Sequence, residues 1–135
     1  IEAHERTRAT LGWAYFLKGR HAEGLAELER AAAMAPAALM WLAQLGEAHA
    51  LAGNTSRARE ILRMLQDASH ELYVPPYYFA YVYAGLGDAE QAMDCLERAV
   101  AERAGPAYSI KGSFLLAPLR AHPRFRALLR QMNLD

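Results

Sequence analysis

A period of 34 residues constrains the fold of this chain more than any other feature of its sequence. Three glycines and three leucines recur at this spacing: Gly19, Gly53, Gly87, Leu28, Leu62 and Leu96. The units 5–38, 39–72 and 73–106 overlay without an insertion or deletion. A repeat of this length is typical of supersecondary units that bury their apolar faces by stacking on their neighbours. The chain is therefore predicted to stack three such units.

Each unit carries the pattern of two helices joined by a tight turn. In the first unit, Leu11 and Tyr15 have the i, i+4 spacing of one helical face, and Leu28 and Ala31 lie on one face of a second helix. Gly19 stands between them, where a left-handed residue can end a helix. A composition rich in alanine and leucine also favours helix. The pattern predicts six helices, over residues 4–18, 21–34, 39–52, 55–69, 76–86 and 88–104.

Particular residues predict how these helices meet and begin. Because Gly12 and Gly24 have no side chain, they should allow the first two helices to approach closely. Asp88 is expected to be an N-cap of the last repeat helix, and Asn54 or Thr55 an N-cap in the second unit.

The pattern Leu-Gly-x-x-Tyr, then Gly, then small-x-x-x-Leu-x-x-Ala, at this period, resembles the tetratricopeptide repeat, and the resemblance covers residues 5–106. It departs from the family where the early tryptophan is replaced by Arg8, Leu42 and Pro76. It implies an all-α, right-handed superhelical solenoid of three hairpins that binds partners on its concave face. We therefore expect one domain, with the hairpins in residues 1–106 and a C-terminal capping segment over 107–135.

The last residues, "APLRAHPRFRALLRQMNL", predict one further helix. Pro123 should start it, with His122 at the capping position. An apolar stripe at i, i+3, i+4 and i+7 would follow: Phe125, Leu128, Leu129 and Met132. The arginines fall off that stripe, so we expect them to face water while the stripe covers the last hairpin.

The region from 73 to 134 is also similar to the C-terminal end of repeat arrays in bacterial signalling proteins. The stretch Leu-Arg-x-x-Pro-Arg-Phe-x-x-Leu-Leu carries most of this likeness, although His122 stands where that group usually has aspartate. The similarity implies a regulatory array that follows a kinase, nucleotide-cyclase or winged-helix DNA-binding domain. The single cysteine fits a reducing setting, and we expect a cytoplasmic location. Because the chain starts at Ile1, we expect it to be a piece of a longer protein.

The repeat register predicts which side chains line the partner groove. The candidate partner-binding residues are eight positions in the first halves of the three units: Arg6, Trp13, Phe16, Met40, Glu47, Val74, Tyr77 and Tyr81. Some arrays of the family it resembles clamp a carboxylate tail with Lys, Asn and Arg at five positions, which here are Ala9, Trp13, Gln44, Val74 and Tyr78. The clamp side chains are absent, so an apolar peptide or helix is the expected partner.

Other interpretations of the aromatic positions stay open. The aromatic side chains could fill the inside of a tight superhelix or be covered by further repeats. They could also mediate homodimerisation or form a small-molecule sensing pocket. The 15 basic and 15 acidic residues balance to zero net charge, and the groove positions repeat no polar code, so we expect no nucleic-acid partner.

Catalytic and metal chemistry find little support in the sequence. The five histidines include no pair at i, i+4 spacing, and the single Cys95 has no histidine beside it in sequence. No phosphate-binding glycine pattern and no apolar run of membrane length occur. We therefore predict neither an enzyme nor a bound cofactor or metal, and no membrane partner.

Overall fold

The computed structural model describes residues 2–102 and 114–132 of the chain. Within them lie seven α-helices, one 3₁₀ helix and no strand. These are α1 (Glu2–Leu17), α2 (His21–Met34), α3 (Leu39–Leu51), α4 (Thr55–Ala68), α5 (Pro76–Leu86), α6 (Ala89–Ala101), the 3₁₀ helix (Phe114–Leu119) and α7 (Pro123–Gln131). The predicted end of the third unit at 106 and the predicted start of the capping segment at 107 lie outside the described residues.

The helix boundaries confirm the all-α prediction. Helices α2 and α5 have the predicted bounds, and α3 and α4 each end one residue earlier than expected. Helix α1 already begins at Glu2, and α6 ends at Ala101, before the predicted position. None of the described helices is long and apolar enough to cross a membrane.

The helices pair as consecutive hairpins and stack side by side. Within the hairpins α1 packs on α2, α3 on α4 and α5 on α6, and between them α3 contacts α2 and α5. This arrangement is the predicted solenoid of helical hairpins, and the hand of its superhelix stays a prediction. The hairpin turns depend on glycines with φ of 83° at Gly19, 89° at Gly53 and 79° at Gly87. Because L side chains rarely adopt this region, the repeated glycines are explained by the turns.

The close approach of the first two helices is confirmed. A Cβ on Gly24 would lie 2.6 Å from the carbonyl oxygen of Gly12, a distance at which the helices would have to move apart. Glycine at both positions therefore lets the backbones of α1 and α2 touch.

Of the two caps predicted for the repeat helices, one is confirmed and the other is right in position but wrong in its hydrogen bond. The backbone N–H of Gln91 donates to Asp88 Oδ1 at 3.2 Å, so Asp88 is the N-cap of α6. Asn54 occupies the N-cap position of α4, but its side chain makes no capping hydrogen bond there. Its amide nitrogen meets His49 Nδ1 at 3.1 Å instead, and Thr55 is already the first residue of the helix. The competing histidine of the preceding helix explains why the cap is lost.

Helix α7 begins at Pro123 as predicted, and its apolar stripe packs on the core. Phe125 and Leu128 are buried, and Leu129 and Met132 pack against the core from half-buried positions. His122 Nδ1 accepts from the backbone N–H of Arg124 at 3.1 Å, which confirms His122 as the cap.

The expectation that the tail arginines face water is wrong for Arg124. Its guanidinium donates to Glu97 and Asp94 of α6 at 2.7 Å each, and lies 3.3 Å from Glu90. Three acidic side chains of α6 thus hold α7 in place. Arg126 and Arg130 are exposed, as expected.

The 3₁₀ helix was not predicted. Its leucines Leu115, Leu116 and Leu119 are buried, and the segment contacts α5 and α6. What the sequence suggested as a link between the last hairpin and α7 is therefore part of the core.

Candidate functional site

Two adjoining cavities lie between α1 and α3, against the 3₁₀ helix, and together they form what we call the interhairpin groove. The tryptophan cavity has a volume of about 430 Å³ and is lined by Arg6, Ala9, Thr10, Trp13, Ala14, Leu17, Met40, Trp41, Gln44 and Leu115. The glutamate cavity has a volume of about 360 Å³ and is lined by Trp13, Phe16, Leu17, Glu47, Leu51, Leu115, Ala117 and Pro118. The side chains Trp13, Leu17 and Leu115 belong to both.

The groove walls are built from the same four positions of two successive repeats. These are Arg6, Thr10, Trp13 and Leu17 on α1, and Met40, Gln44, Glu47 and Leu51 on α3. The spacing i, i+4, i+7 and i+11 places each set along one helical face. The two helices therefore present equivalent faces to the groove.

The two tryptophans fix the walls of the tryptophan cavity. Trp13 Nε1 donates to Gln44 Oε1 at 2.9 Å across the groove, which satisfies an indole that is only 5% exposed. The guanidinium carbon of Arg6 lies 5.8 Å from the centre of the Trp41 ring, within range of a cation–π contact. Long side chains, rather than backbone contact, thus join α1 to α3.

Aromatic stacking continues into the glutamate cavity. The rings of Trp13 and Phe16 meet edge to face, with centroids 5.5 Å apart and an interplanar angle of 66°. Phe16 also stacks on His21 of α2, with centroids 4.1 Å apart. These contacts hold the Phe16 ring in place and make its wall of the cavity rigid.

Glu47 is the unusual member of the site. It is 1% exposed, and neither carboxyl oxygen has a hydrogen-bond partner among the described residues. Burial raises the pKa of Glu47 well above its ordinary value. Burial, and then the charge of Glu47, raise the pKa of the neighbouring Tyr81 to about 12. An acid in this setting favours its neutral form until a cation or several donors reach it.

The structure brings five of the eight predicted groove residues together. Arg6, Trp13 and Met40 line the tryptophan cavity, and Trp13, Phe16 and Glu47 line the glutamate cavity. The three predicted residues of the third unit line neither cavity: Val74, Tyr77 and Tyr81. Val74 and Tyr77 are buried and Tyr81 is half-buried, so these three belong to the packing around α5. A partner-binding role stays a prediction for all eight residues.

The sequence analysis missed four groove residues on which the site depends: Leu17, Trp41, Leu51 and Leu115. On α3 it chose Met40 and Glu47, whereas the groove face also runs through Gln44 and Leu51. Leu17 and Leu51 are 34 residues apart, so the recurrence of a leucine was a signal for both residues in the sequence. Leu115 lies in the unpredicted 3₁₀ helix, and only the apolar run around it could have indicated burial.

Polar groups outside the groove have structural roles. His49 Nε2 lies 3.0 Å from Glu29 Oε1 and so links the first hairpin to the second. Burial raises the pKa of the Cys95 thiol, which opposes a reactive thiolate. Across residues 2–102 and 114–132, no three side chains of His, Cys, Asp or Glu cluster in a way that could hold a metal ion.

Comparison with known families agrees with this geometry. The model of the Tetratricopeptide repeat matches residues 5–37 and 78–104, which include α2, α6 and most of α1 and α5. No curated protein and no solved structure matched the chain. The two matched segments support a tetratricopeptide-repeat family for this chain. Such repeats generally mediate protein–protein interaction and generally act as scaffolds rather than enzymes.

Proposed function

We propose that this chain is a regulatory protein-interaction module that binds an apolar peptide or helix in the interhairpin groove. The observation that carries the proposal is the pair of leucines at the groove edge. Leu17 is 72% exposed and Leu51 is 43% exposed, and both lie beside the buried ring of Trp13. Exposed apolar residues next to a preformed apolar cavity are typical of a binding surface.

The groove suits an apolar partner better than a charged one. Apart from Arg6 and the buried Glu47, its walls carry no ionisable side chain among the residues that line the two cavities. An amphipathic helix could place apolar side chains in both cavities, as helices do in hydrophobic grooves. Gln44 and Thr10 could then orient the partner backbone through hydrogen bonds.

Selection of binding peptides from a random library tests this proposal. Peptides that bind the intact chain should be apolar or amphipathic, and Leu51→Asn should weaken their binding by about tenfold or more, because a polar amide would enter the apolar groove. Leu72→Asn is the matched control, since Leu72 is also exposed but lies outside both cavities. Equal binding to the intact chain and to Leu51→Asn would contradict the proposal.

Self-association is a second candidate function. Leu11 and Met34 are exposed and line a separate cavity of about 420 Å³ with His4, Thr7 and Arg8. A second copy could cover this face. Sedimentation equilibrium of the intact chain and of Leu11→Glu tests it, and a monomer at every concentration would exclude homodimerisation.

We also propose a cellular context from the similarity of residues 73–134 to repeat arrays of bacterial signalling proteins. In this proposal the three hairpins occupy residues 1–106, and residues 107–135 cap the array at the end of a longer cytoplasmic protein. The packing of α7 on α6 through Arg124 supports a capping role. Sequencing the gene upstream of Ile1 would show whether a kinase, cyclase or DNA-binding domain precedes the array.

A further inference from the structure

Glu47 is a buried acid that the fold itself does not explain. Its side chain lies over Gly85, where an added Cβ would come within 3.0 Å of Glu47 Cγ. The fold thus leaves space for the glutamate stem but provides no donor for its two oxygens among the described residues. Buried polar groups in proteins nearly always have a partner, so an unpaired carboxyl suggests that one is missing.

The surroundings of Glu47 show what kind of partner fits. The glutamate cavity of about 360 Å³ is within the size range of small-ligand sites, roughly 300–1,000 Å³. Trp13 and Phe16 form its aromatic wall, and aromatic faces attract ammonium and guanidinium groups. Leu17 and Leu51 at the edge and Leu115 opposite offer apolar contact for an alkyl stem.

We infer that the glutamate cavity binds a cationic side chain, an alkyl ammonium or guanidinium group, presented by the partner. Both oxygens of Glu47 are closed to solvent, so the carboxyl group would have to turn toward the cavity. The cation would then donate hydrogen bonds to it and lie against the Trp13 and Phe16 rings. This inference rests on the proposed function, to which it adds a lysine or arginine within an otherwise apolar segment. No basic side chain of the described residues occupies that place, since both oxygens of Glu47 are without a partner.

A cation in this cavity would couple its binding to the ionisation of Glu47. The empty site favours the neutral acid, because burial disfavours the charged form. A bound cation favours the carboxylate, so affinity should rise with pH until Glu47 is ionised in the free chain, and then level off.

The other groups that face Glu47 do not obscure this dependence. From α5 the neighbour is Tyr81, whose phenol stays neutral because its pKa is raised to about 12. The cavity residues of α1 and of the 3₁₀ helix are uncharged: Trp13, Phe16, Leu17, Leu115, Ala117 and Pro118. His21 of α2 stacks on Phe16, which lines the cavity. The pH series is therefore measured in a His21→Gln background.

Binding of small amides tests the inference without a known partner. The probe is N-acetyl-arginine amide, and its neutral control of similar shape is N-acetyl-citrulline amide. Trp41→Phe leaves Trp13 as the fluorescent reporter in the cavity wall. We expect saturable fluorescence changes with the arginine amide, and affinity lower by about tenfold or more for the citrulline amide, because the charge-assisted hydrogen bonds are lost.

Two variants decide whether Glu47 is the group that binds. Glu47→Gln should lose the preference for arginine and the pH dependence, whereas the exposed Glu71→Gln should keep both. Equal affinity for the two amides in the intact chain would overturn the inference. So would an unchanged preference in Glu47→Gln, and the pH series on the intact cavity provides a test if that variant does not fold.

The outcomes for the cation site and for the groove are separable. If library peptides bind the groove equally well with arginine or citrulline, the cation site is wrong and the peptide groove stands. If the arginine amide binds but no peptide does, the cation site stands and the proposed peptide function fails.

Discussion

The first helices of neighbouring hairpins meet at two junctions, α1 with α3 and α3 with α5. The same repeat positions face both junctions, but only α3 and α5 pack directly against each other. At the junction of α3 and α5 the helices pack directly, and a Cβ on Gly85 would lie 2.8 Å from the carbonyl oxygen of Glu47. At the junction of α1 and α3 the equivalent residues are Leu51 and Trp13, and both line the glutamate cavity instead. Residue size at two positions per repeat thus separates a closed junction from a groove.

This difference shows how a repeat array can place one binding site without changing its fold. The small Gly85 admits the neighbouring backbone, whereas Leu51 cannot, and Trp13 adds bulk on the other side. Both junctions keep the same glycine turns at 53 and 87. Local side-chain volume, rather than the hairpin geometry, therefore accounts for the groove.

The largest effect on stability is expected at the C-terminal end of the array, where α7 packs beside α6. Phe125 is 1% exposed and anchors α7 beside α6, so Phe125→Ala should lower the free energy of unfolding by about 3–5 kcal/mol. Urea denaturation measures this change. The control Ala127→Ser alters an exposed position of α7, and an equal loss in both variants would mean that α7 is not held through Phe125.

A substitution that opens the junction of α3 and α5 should lower the free energy of unfolding somewhat less than Phe125→Ala. Gly85→Leu gives α5 the residue that α3 has at Leu51, and the clash with the Glu47 backbone should destabilise the chain by about 2–3 kcal/mol. Leucine is the better helix former, so helix propensity alone predicts the opposite sign. An unchanged or raised urea midpoint would show that this position does not decide closure.

The buried acid at the boundary of the two junctions should make stability depend on pH. Since burial raises the pKa of Glu47 above its ordinary value of 4.5, the folded chain keeps a proton that the unfolded chain has lost. The free energy of unfolding should therefore fall as pH rises above that value, by at most about 1.4 kcal/mol per pH unit.

Glu47→Gln removes this dependence and should make the chain more stable than the natural sequence at neutral pH. Thermal unfolding across pH 5–8 measures both effects. Glu71→Gln is the control, since Glu71 is exposed. Identical pH profiles for the natural chain and Glu47→Gln would mean that Glu47 ionises without cost.

The smallest effect is expected at the open edge of the groove. Leu17→Gln changes a side chain that is 72% exposed, so it should alter the free energy of unfolding by less than about 0.5 kcal/mol. Binding of groove peptides should weaken all the same. A large loss of stability in the urea midpoint would mean that Leu17 closes the groove rather than lining its edge.

Much of the fold could be predicted because its signals are local and periodic. The glycine turns and the bounds of α2 and α5 followed from the 34-residue period and from cap chemistry. The cap at Asn54 could not be predicted, because His49 from the preceding helix competes for its side chain. The role of Arg124 depends on three acidic residues of α6 that its own helix does not reveal.

The candidate site was only partly predictable, because a groove depends on which helices fail to touch. Periodicity placed Trp13 and Glu47 on the correct faces. It could not show that Tyr77 and Tyr81 would be covered by neighbouring residues, since α5 approaches α3 closely at Gly85. Nor could it place Leu115 in the groove wall from more than sixty residues along the chain, because that contact is purely tertiary.

Chemical-shift mapping tests most directly whether the open junction is the binding site. The chain would be labelled with ¹⁵N and titrated with a peptide selected from the random library. Our account predicts the largest changes at the Trp13 indole, at Gln44 and at the amides of Leu17 and Leu51, with small changes along α6 and α7. Changes centred on Leu11 and Met34, or on α6 and α7, with the Trp13 indole unmoved, would contradict it.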